Sequence, residues 1–236
     1  MENETQPRIT IRRSQKRGHA QRGWLDSRHT FSFAEYFDPQ QMGFRSLRVI
    51  NEDRVAPGGG FPTHPHSDME ILSYVVSGEL EHRDSMGNGR VNRAGELQAM
   101  SAGNGIAHSE GNASKSEPVH FLQIWIVPNQ RNLTPSYSEW KPGADTDDLT
   151  LLASPEGNGG VTIHQDARLY LGRLETGGEL EYSTDLARGL WLQVIEGEVE
   201  VLDATLKKGD GAAIENAETF VLRASAESRF LLFDLA

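Results

Sequence analysis

Hydrophobic positions along this chain fall in short runs rather than in helical periods. LRVINEDRV (47–55), EILSYVV (70–76), ELEHRD (79–84), VHFLQIWIV (119–127), RLYLGRLE (168–175), LWLQVIE (190–196), EVEVL (198–202), TFVLRA (219–224) and RFLLFDL (229–235) are rich in β-branched, aromatic and aliphatic residues. Gly, Pro, Asn, Asp or Ser separates them, the signature of strands closed by turns. Helical periodicity sustained over about 12 residues is absent. The segment SRHTFSFAEYF (27–37) has room for a helical turn or two. Many short strands at regular spacing predict an all-β sandwich or barrel.

The pattern occurs twice. Val76-Ser-Gly-Glu-Leu-Glu81 matches Ile195-Glu-Gly-Glu-Val-Glu200, and Arg93-Ala-Gly-Glu-Leu-Gln98 matches Lys207-Lys-Gly-Asp-Gly-Ala212. In each copy a strand–Gly–strand hairpin precedes a second Gly turn and another strand. The turn-rich stretch Lys141–Gly160 separates the copies. Two similar β domains are therefore expected, at residues 1–140 and 155–236.

Composition narrows the function classes. The chain has 236 residues and no cysteine. That length buries a sizeable core without disulfides. The missing thiols exclude a disulfide scaffold, thiolate zinc sites, iron–sulfur clusters and a cysteine nucleophile. A formal net charge of −11 and a pI near 5.2 argue against direct nucleic-acid binding. No stretch approaches the roughly 18 apolar residues of a membrane span, and MENETQPRITIRR lacks the apolar core of a secretory signal. A cytoplasmic monomer without a membrane partner is expected.

Five of the eight histidines, His19, His29, His82, His120 and His164, are scattered and are expected to be surface or core residues. The other three sit with carboxylates in two Gly-led blocks, Gly58-Gly-Gly-Phe-Pro-Thr-His64-Pro-His66-Ser-Asp68-Met-Glu70 and Gly95…Gly103-Asn-Gly105-Ile-Ala-His108-Ser-Glu110-Gly-Asn112. In a strand, residues i and i+2 share a face with Cα atoms about 6.6 Å apart. His64 with His66, and His108 with Glu110, can thus each present two donors to one ion at about 2.0–2.1 Å. Three imidazoles and a carboxylate suit Fe, Mn, Ni, Cu or Zn rather than Ca or Mg. Four ligands leave two octahedral positions open for substrate and O₂ or water, as in a catalytic site.

Asp68 and Glu70 continue the alternation. A straight strand puts Glu70 roughly 20 Å from His64, so Glu70 reaches the same ion only if Ser67-Asp68 bends sharply. Glu110 needs no bend and is the preferred carboxylate. A His66-x-Asp68…His108 facial triad is a weaker alternative, because the next arginine after His108 is Arg131. Gly103-Asn-Gly105 follows no βαβ pattern and reads as a turn that aims His108 inward.

The two blocks resemble the paired motifs of the cupin superfamily, with Ser101 where many cupins have proline. The closer resemblance is to the pirin family, and within it to bacterial pirin-like quercetin 2,3-dioxygenases. Residues 18–89, MSAGNGIAHSEGN (100–112) and FLQIWIVP (121–128) carry it, and it loosens after about residue 137. The resemblance implies a bicupin of two β-barrels. It also implies one divalent transition metal per chain in the first barrel, Fe(II) foremost with Zn, Mn, Ni, Co or Cu as alternatives, held by His64, His66, His108 and Glu110. The matching segment of the second copy, Gly177-Gly-Glu-Leu-Glu-Tyr-Ser-Thr184, has no histidine and is expected to bind none.

The implied reaction is oxidative opening of a flavonol heterocycle by O₂ with release of carbon monoxide. Glu110 would be the catalytic base toward the 3-hydroxyl, and Phe61 and Met69 are candidates for an apolar wall. The alternative is an iron-binding regulatory protein with little turnover, as in eukaryotic pirins.

Overall fold

In a computed structural model, residues 6–143 and 148–236 are described. In chain order the strands are β1 (Arg8–Arg12), β2 (Gly18–Arg22), β3 (Leu25–His29), β4 (Leu47–Val55), β5 (Gly60–His66), β6 (Glu70–Ser77), β7 (Glu79–Asp84), β8 (Gly89–Arg93), β9 (Leu97–Ser101), β10 (Ile106–Asn112) and β11 (Val119–Ile126). There follow β12 (Ser136–Trp140), β13 (Leu149–Ser154), β14 (Val161–Thr162), β15 (Ala167–Leu174), β16 (Glu179–Ser183), β17 (Gly189–Glu196), β18 (Glu198–Val201), β19 (Ala204–Lys207), β20 (Gly211–Glu215), β21 (Thr219–Ala224) and β22 (Ser228–Leu235). A 3₁₀ turn at Ser14–Lys16 is the sole helical segment among the described residues, and no helix is long and apolar enough to cross a membrane.

Each half folds a seven-stranded sheet over a four-stranded one. The first half has the order β12-β9-β6-β11-β4-β3-β2 with β5-β10-β7-β8; the second has β1-β20-β17-β22-β15-β13-β14 with β16-β21-β18-β19. Strands β4–β11 correspond one for one with β15–β22, so the internal repeat of the sequence is a repeat of the fold; the outer strands differ, β13 and β14 pairing in parallel where β2 and β3 are antiparallel. The matched glycines have a shared reason. Gly78 and Gly197 turn their hairpins at φ +81° and +82°, and a Cβ there would lie 2.6 Å from Pro118 O or 2.3 Å from Glu227 O. Only glycine satisfies both demands.

Three sequence expectations change. Residues 8–12 precede the first barrel in the chain, yet β1 pairs with β20 and forms the edge of the second sheet. β13 begins the second unit at Leu149, inside the stretch expected to be linker. The segment 27–37 holds no helix. β3 runs to His29, and Phe33 and Tyr36 then close a tight turn through two N–H···O bonds of 3.0 Å, with Ala34 at φ +51°.

The two large sheets pack face to face. Leu72, Tyr74, Leu122 and Ile124 from one, and Leu169, Leu171, Leu231 and Phe233 from the other, belong to a single buried cluster. Trp191 of β17 sits among them, its ring centroid 4.8 Å from Phe31 and 5.9 Å from Phe44. The central strands are therefore covered on both faces, which explains their nearly unbroken apolar runs. Trp191→Ala is expected to lower the stability of the whole chain by about 3–5 kcal/mol. Urea unfolding followed at several probes checks this; a loss confined to one probe would mean the barrels unfold separately.

Candidate metal centre

β5 and β10 lie side by side, antiparallel, with His64 opposite His108 and His66 opposite Ile106. Alternation puts His64 and His66 on one face, and the pairing brings His108 to them. Ring centroids are 4.7 Å apart for His64–His66, 4.5 Å for His64–His108 and 4.9 Å for His66–His108. One nitrogen from each ring lies within 4.8 Å of the others, a spacing that can hold one metal ion.

The tautomers suit a cation. His64 Nδ1 is 2.8 Å from the Pro62 carbonyl oxygen, which can only accept, so the proton is on Nδ1 and Nε2 is bare. His82 Nε2 is 3.1 Å from Asp84 Oδ2, so His82 offers a bare Nδ1. His108 Nδ1 faces that atom at 3.5 Å and is its donor. His108 Nε2 is then bare, buried and without a partner. An orphaned acceptor pointing among imidazoles is what a ligand awaiting a metal looks like. Burial, with neighbouring imidazoles adding to it, holds His66 at about 4 and His108 at about 3. Both rings are neutral at ordinary pH, as ligation requires.

Glu110 adjoins this triad through His108; His82, His108 and Glu110 form a second group with donor atoms within 4.8 Å of one another. Its buried carboxylate accepts from Ser73 Oγ at 2.9 Å, Gln98 Nε2 at 2.7 Å and Gln123 Nε2 at 2.6 Å. A carboxylate accepts about four bonds, so capacity for one more contact is left. Desolvation outweighs these bonds and raises the Glu110 pKa to about 7. Glu70 belongs to neither group. The chain does bend at Asp68, at φ +48°, but Ser101 Oγ donates to the Glu70 carboxylate at 2.5 and 2.6 Å. The serine that departs from the cupin pattern is thus Glu70's partner. Asp68 accepts from the Asn132 N–H at 2.8 Å.

A cleft of about 400 Å³ opens beside His64 and His66, walled by Trp24, Phe33, Phe61 and Trp125. Phe61 therefore lies where the sequence suggested. Met69 instead packs with Ile71 and Met100 and lines a neighbouring depression.

Similarity to known proteins follows the same lines. The Pirin family model matches residues 10–126 and that of the quercetinase C-terminal cupin domain matches residues 151–235. The chain is 45% identical over 227 residues to a protein named quercetin 2,3-dioxygenase from Escherichia coli (strain K12), covering 96% of this chain and 98% of that one. The chain belongs to the pirin family.

Two crystal structures of the pirin YhhW from Escherichia coli superpose closely. One has a TM-score of 0.94 at 45% identity, covering 97% of this chain and 98% of that chain. The other, a nickel(II) complex, has a TM-score of 0.93 at 44% identity, covering 97% and 99%.

In this pirin both metal-capable groups among the described residues lie in the first barrel. The second barrel has Tyr182 opposite Phe220 and Leu180 opposite Leu222, at the registers that carry His64–His108 and Phe61–Glu110 in the first. Sequence reasoning missed His82, which is fully buried and stacked on Tyr137 at 4.6 Å. It also missed Ser73, Gln98 and Gln123. Only the cross-strand register, with His82 opposite Glu110, could have found His82.

Asp53 of β4 is buried near this layer, and desolvation raises its pKa from 3.8 to about 7. A raised carboxyl pKa means that stability present at low pH is lost as pH climbs through the folded-state value. The rise corresponds to ~4 kcal/mol at most. In metal-free protein, Asp53→Asn should therefore gain stability relative to wild type progressively between pH 4 and pH 7. Urea unfolding at pH 4.5, 6 and 8 tests it, and a pH-independent difference would contradict the assignment.

Proposed function

We propose that this pirin is a metal-dependent quercetin 2,3-dioxygenase that opens the flavonol heterocycle with O₂ and releases carbon monoxide. The observation carrying this reading is the buried, unpartnered His108 Nε2 among converging imidazoles, beside an aromatic-walled cleft. The name of the Escherichia coli relative supports it. His64, His66, His108 and Glu110 would hold the ion, Fe(II) being the expected metal and nickel the one in the YhhW complex.

A divalent cation there would supply Lewis acidity toward the 3-hydroxyl and 4-keto oxygens and a redox partner for O₂. The protein's own part is binding, orientation and one proton. Trp24, Phe61 and Trp125 cover the faces of a flat ring system and keep water from it. With one acceptor site left open by its three donors, Glu110 would exchange its contact with the ion for the 3-hydroxyl proton, leaving the electron-rich flavonolate. Burial raises the Glu110 pKa in the metal-free protein, and that desolvation makes its carboxylate a stronger proton acceptor. Ser73, Gln98 and Gln123 keep the carboxylate aimed throughout. In the overall reaction both atoms of O₂ add across C2 and C4, C3 leaves as carbon monoxide, and a depside ester remains.

Anaerobic reconstitution with Fe(II) or Ni(II), then quercetin and O₂, tests this. Loss of the flavonol absorbance with stoichiometric carbon monoxide is expected. Full metal uptake with neither would reassign the site to metal-dependent regulation. His108→Ala should lose the metal by elemental analysis. Glu110→Gln should retain part of it while turnover falls at least ~10²-fold. Glu70→Gln should keep its metal, and metal loss there would place Glu70 among the ligands.

A further inference from the structure

A polar row crosses the inner face of the first seven-stranded sheet. His29 is the register partner of Asn51, Asn51 of Gln123, Gln123 of Ser73, and Ser73 of Gln98, on five neighbouring strands. The row is divided by what its atoms bind. Ser73, Gln98 and Gln123 end on Glu110. His29 Nδ1 and Asn51 Oδ1 have no hydrogen-bond partner, nor has Asp53 Oδ1, two residues along β4 on the same face. These residues are only 4%, 2% and 2% exposed, and all three line the cleft that His64 and His66 also line.

The fold does not require this arrangement. The corresponding row of the second barrel is Tyr170, Leu232, Leu192 and Ala212, packed as apolar core. Leaving a buried polar group unpaired costs about 1–3 kcal/mol, so these three, with Trp125 Nε1 a fourth unpartnered atom at the same cleft, indicate a ligand that supplies the missing partners.

We propose that His29, Asn51 and Asp53 form a recognition subsite for hydroxyl groups on a flat, polyhydroxylated aromatic ligand. Asn51 Oδ1 accepts hydrogen bonds, and so does Asp53 at pH 8 and above, where its carboxyl is ionised, so the matching ligand groups under those conditions are donors. A ligand carboxylate is disfavoured beside Asp53, and a carbonyl would leave the acceptors unsatisfied. The walls formed by Trp24, Phe61 and Trp125 require the body carrying those hydroxyls to be planar and apolar. The inference rests on the flavonol reading of the site and extends it. The 3-hydroxyl and 4-keto oxygens face the imidazoles, and the hydroxyls of the remaining rings are selected on the sheet.

Quenching of tryptophan fluorescence, with Trp24 and Trp125 in the cleft, measures affinity without turnover. Metal-loaded wild type is titrated anaerobically with quercetin and with 3-hydroxyflavone, which keeps the metal-facing oxygens and lacks the other hydroxyls. Quercetin should bind at least ~10-fold tighter. In Asn51→Ala and Asp53→Ala the ratio of the two affinities should fall by about tenfold each, and Asp53→Asn should restore part of it. Equal wild-type affinities overturn the subsite even where both flavonols are consumed, in which case the dioxygenase reading stands. Hydroxyl-dependent binding without turnover supports the subsite and overturns the dioxygenase reading. Failure to bind either compound overturns both, and a ratio untouched by the substitutions overturns the subsite.

Discussion

A layer of polar side chains enclosed in the first barrel is the constraint on which the rest of the structure depends. On one side of it lie Val55, Val75, Leu80 and Phe121, and on the other Ile71, Met100 and Ile106. Polar atoms trapped between such clusters must find partners or be strongly destabilising. Glu110 finds three donors, and Asp84 is held by the Met86 and Asn88 N–H groups and the Asn88 side chain. Among the atoms left over are His108 Nε2, the acceptors on the cleft wall and Trp125 Nε1. Function resides in that remainder, because those atoms are completed by something that is not the protein.

The second barrel shows what the same topology does without this layer. Its interior registers carry Tyr182, Phe220, Leu180 and Leu222, and its core is largely apolar, with Tyr182, Thr184 and Arg188 gathered on the Asp234 carboxylate. It lends the first barrel a rigid backing through the shared core of the two large sheets. The edge strand β1, drawn from the start of the chain, ties the ends of the molecule together. A layer with unpartnered polar groups is a local destabilisation, and a neighbour with a largely apolar core offsets it.

Legibility in the sequence followed burial. Strands covered on both faces, such as β6, β11, β17 and β22, stood out as largely apolar runs with nearly correct ends. β5, written GFPTHPH, and β10, written IAHSEGN, have no such signature; only their His-x-His and His-x-Glu spacing marked them. The three imidazoles were accessible that way because same-face pairs are a local property. The polar row was not, since His29, Asn51, Ser73, Gln98 and Gln123 come from five strands and meet only through register. His82 was passed over for the same reason. Its role as acceptor for His108 depends on Asp84 fixing its tautomer, and on β7 lying beside β10.

One further device explains how an aromatic wall and a metal ligand come from the same short strand. Phe61 and His64 are three residues apart, so in a regular strand they would point to opposite faces. Yet Phe61 pairs with Glu110 and His64 with His108, two residues apart on β10. β5 therefore carries a bulge at Pro62-Thr63, and the extra residue restores both side chains to the interior. The second barrel lacks it: Leu180 and Tyr182 are separated by one residue and pair with Leu222 and Phe220 in a regular ladder. Proline suits the bulge because no ladder N–H is demanded there. Its carbonyl then accepts the His64 Nδ1 proton, so the irregularity that turns the imidazole inward also fixes which nitrogen it presents.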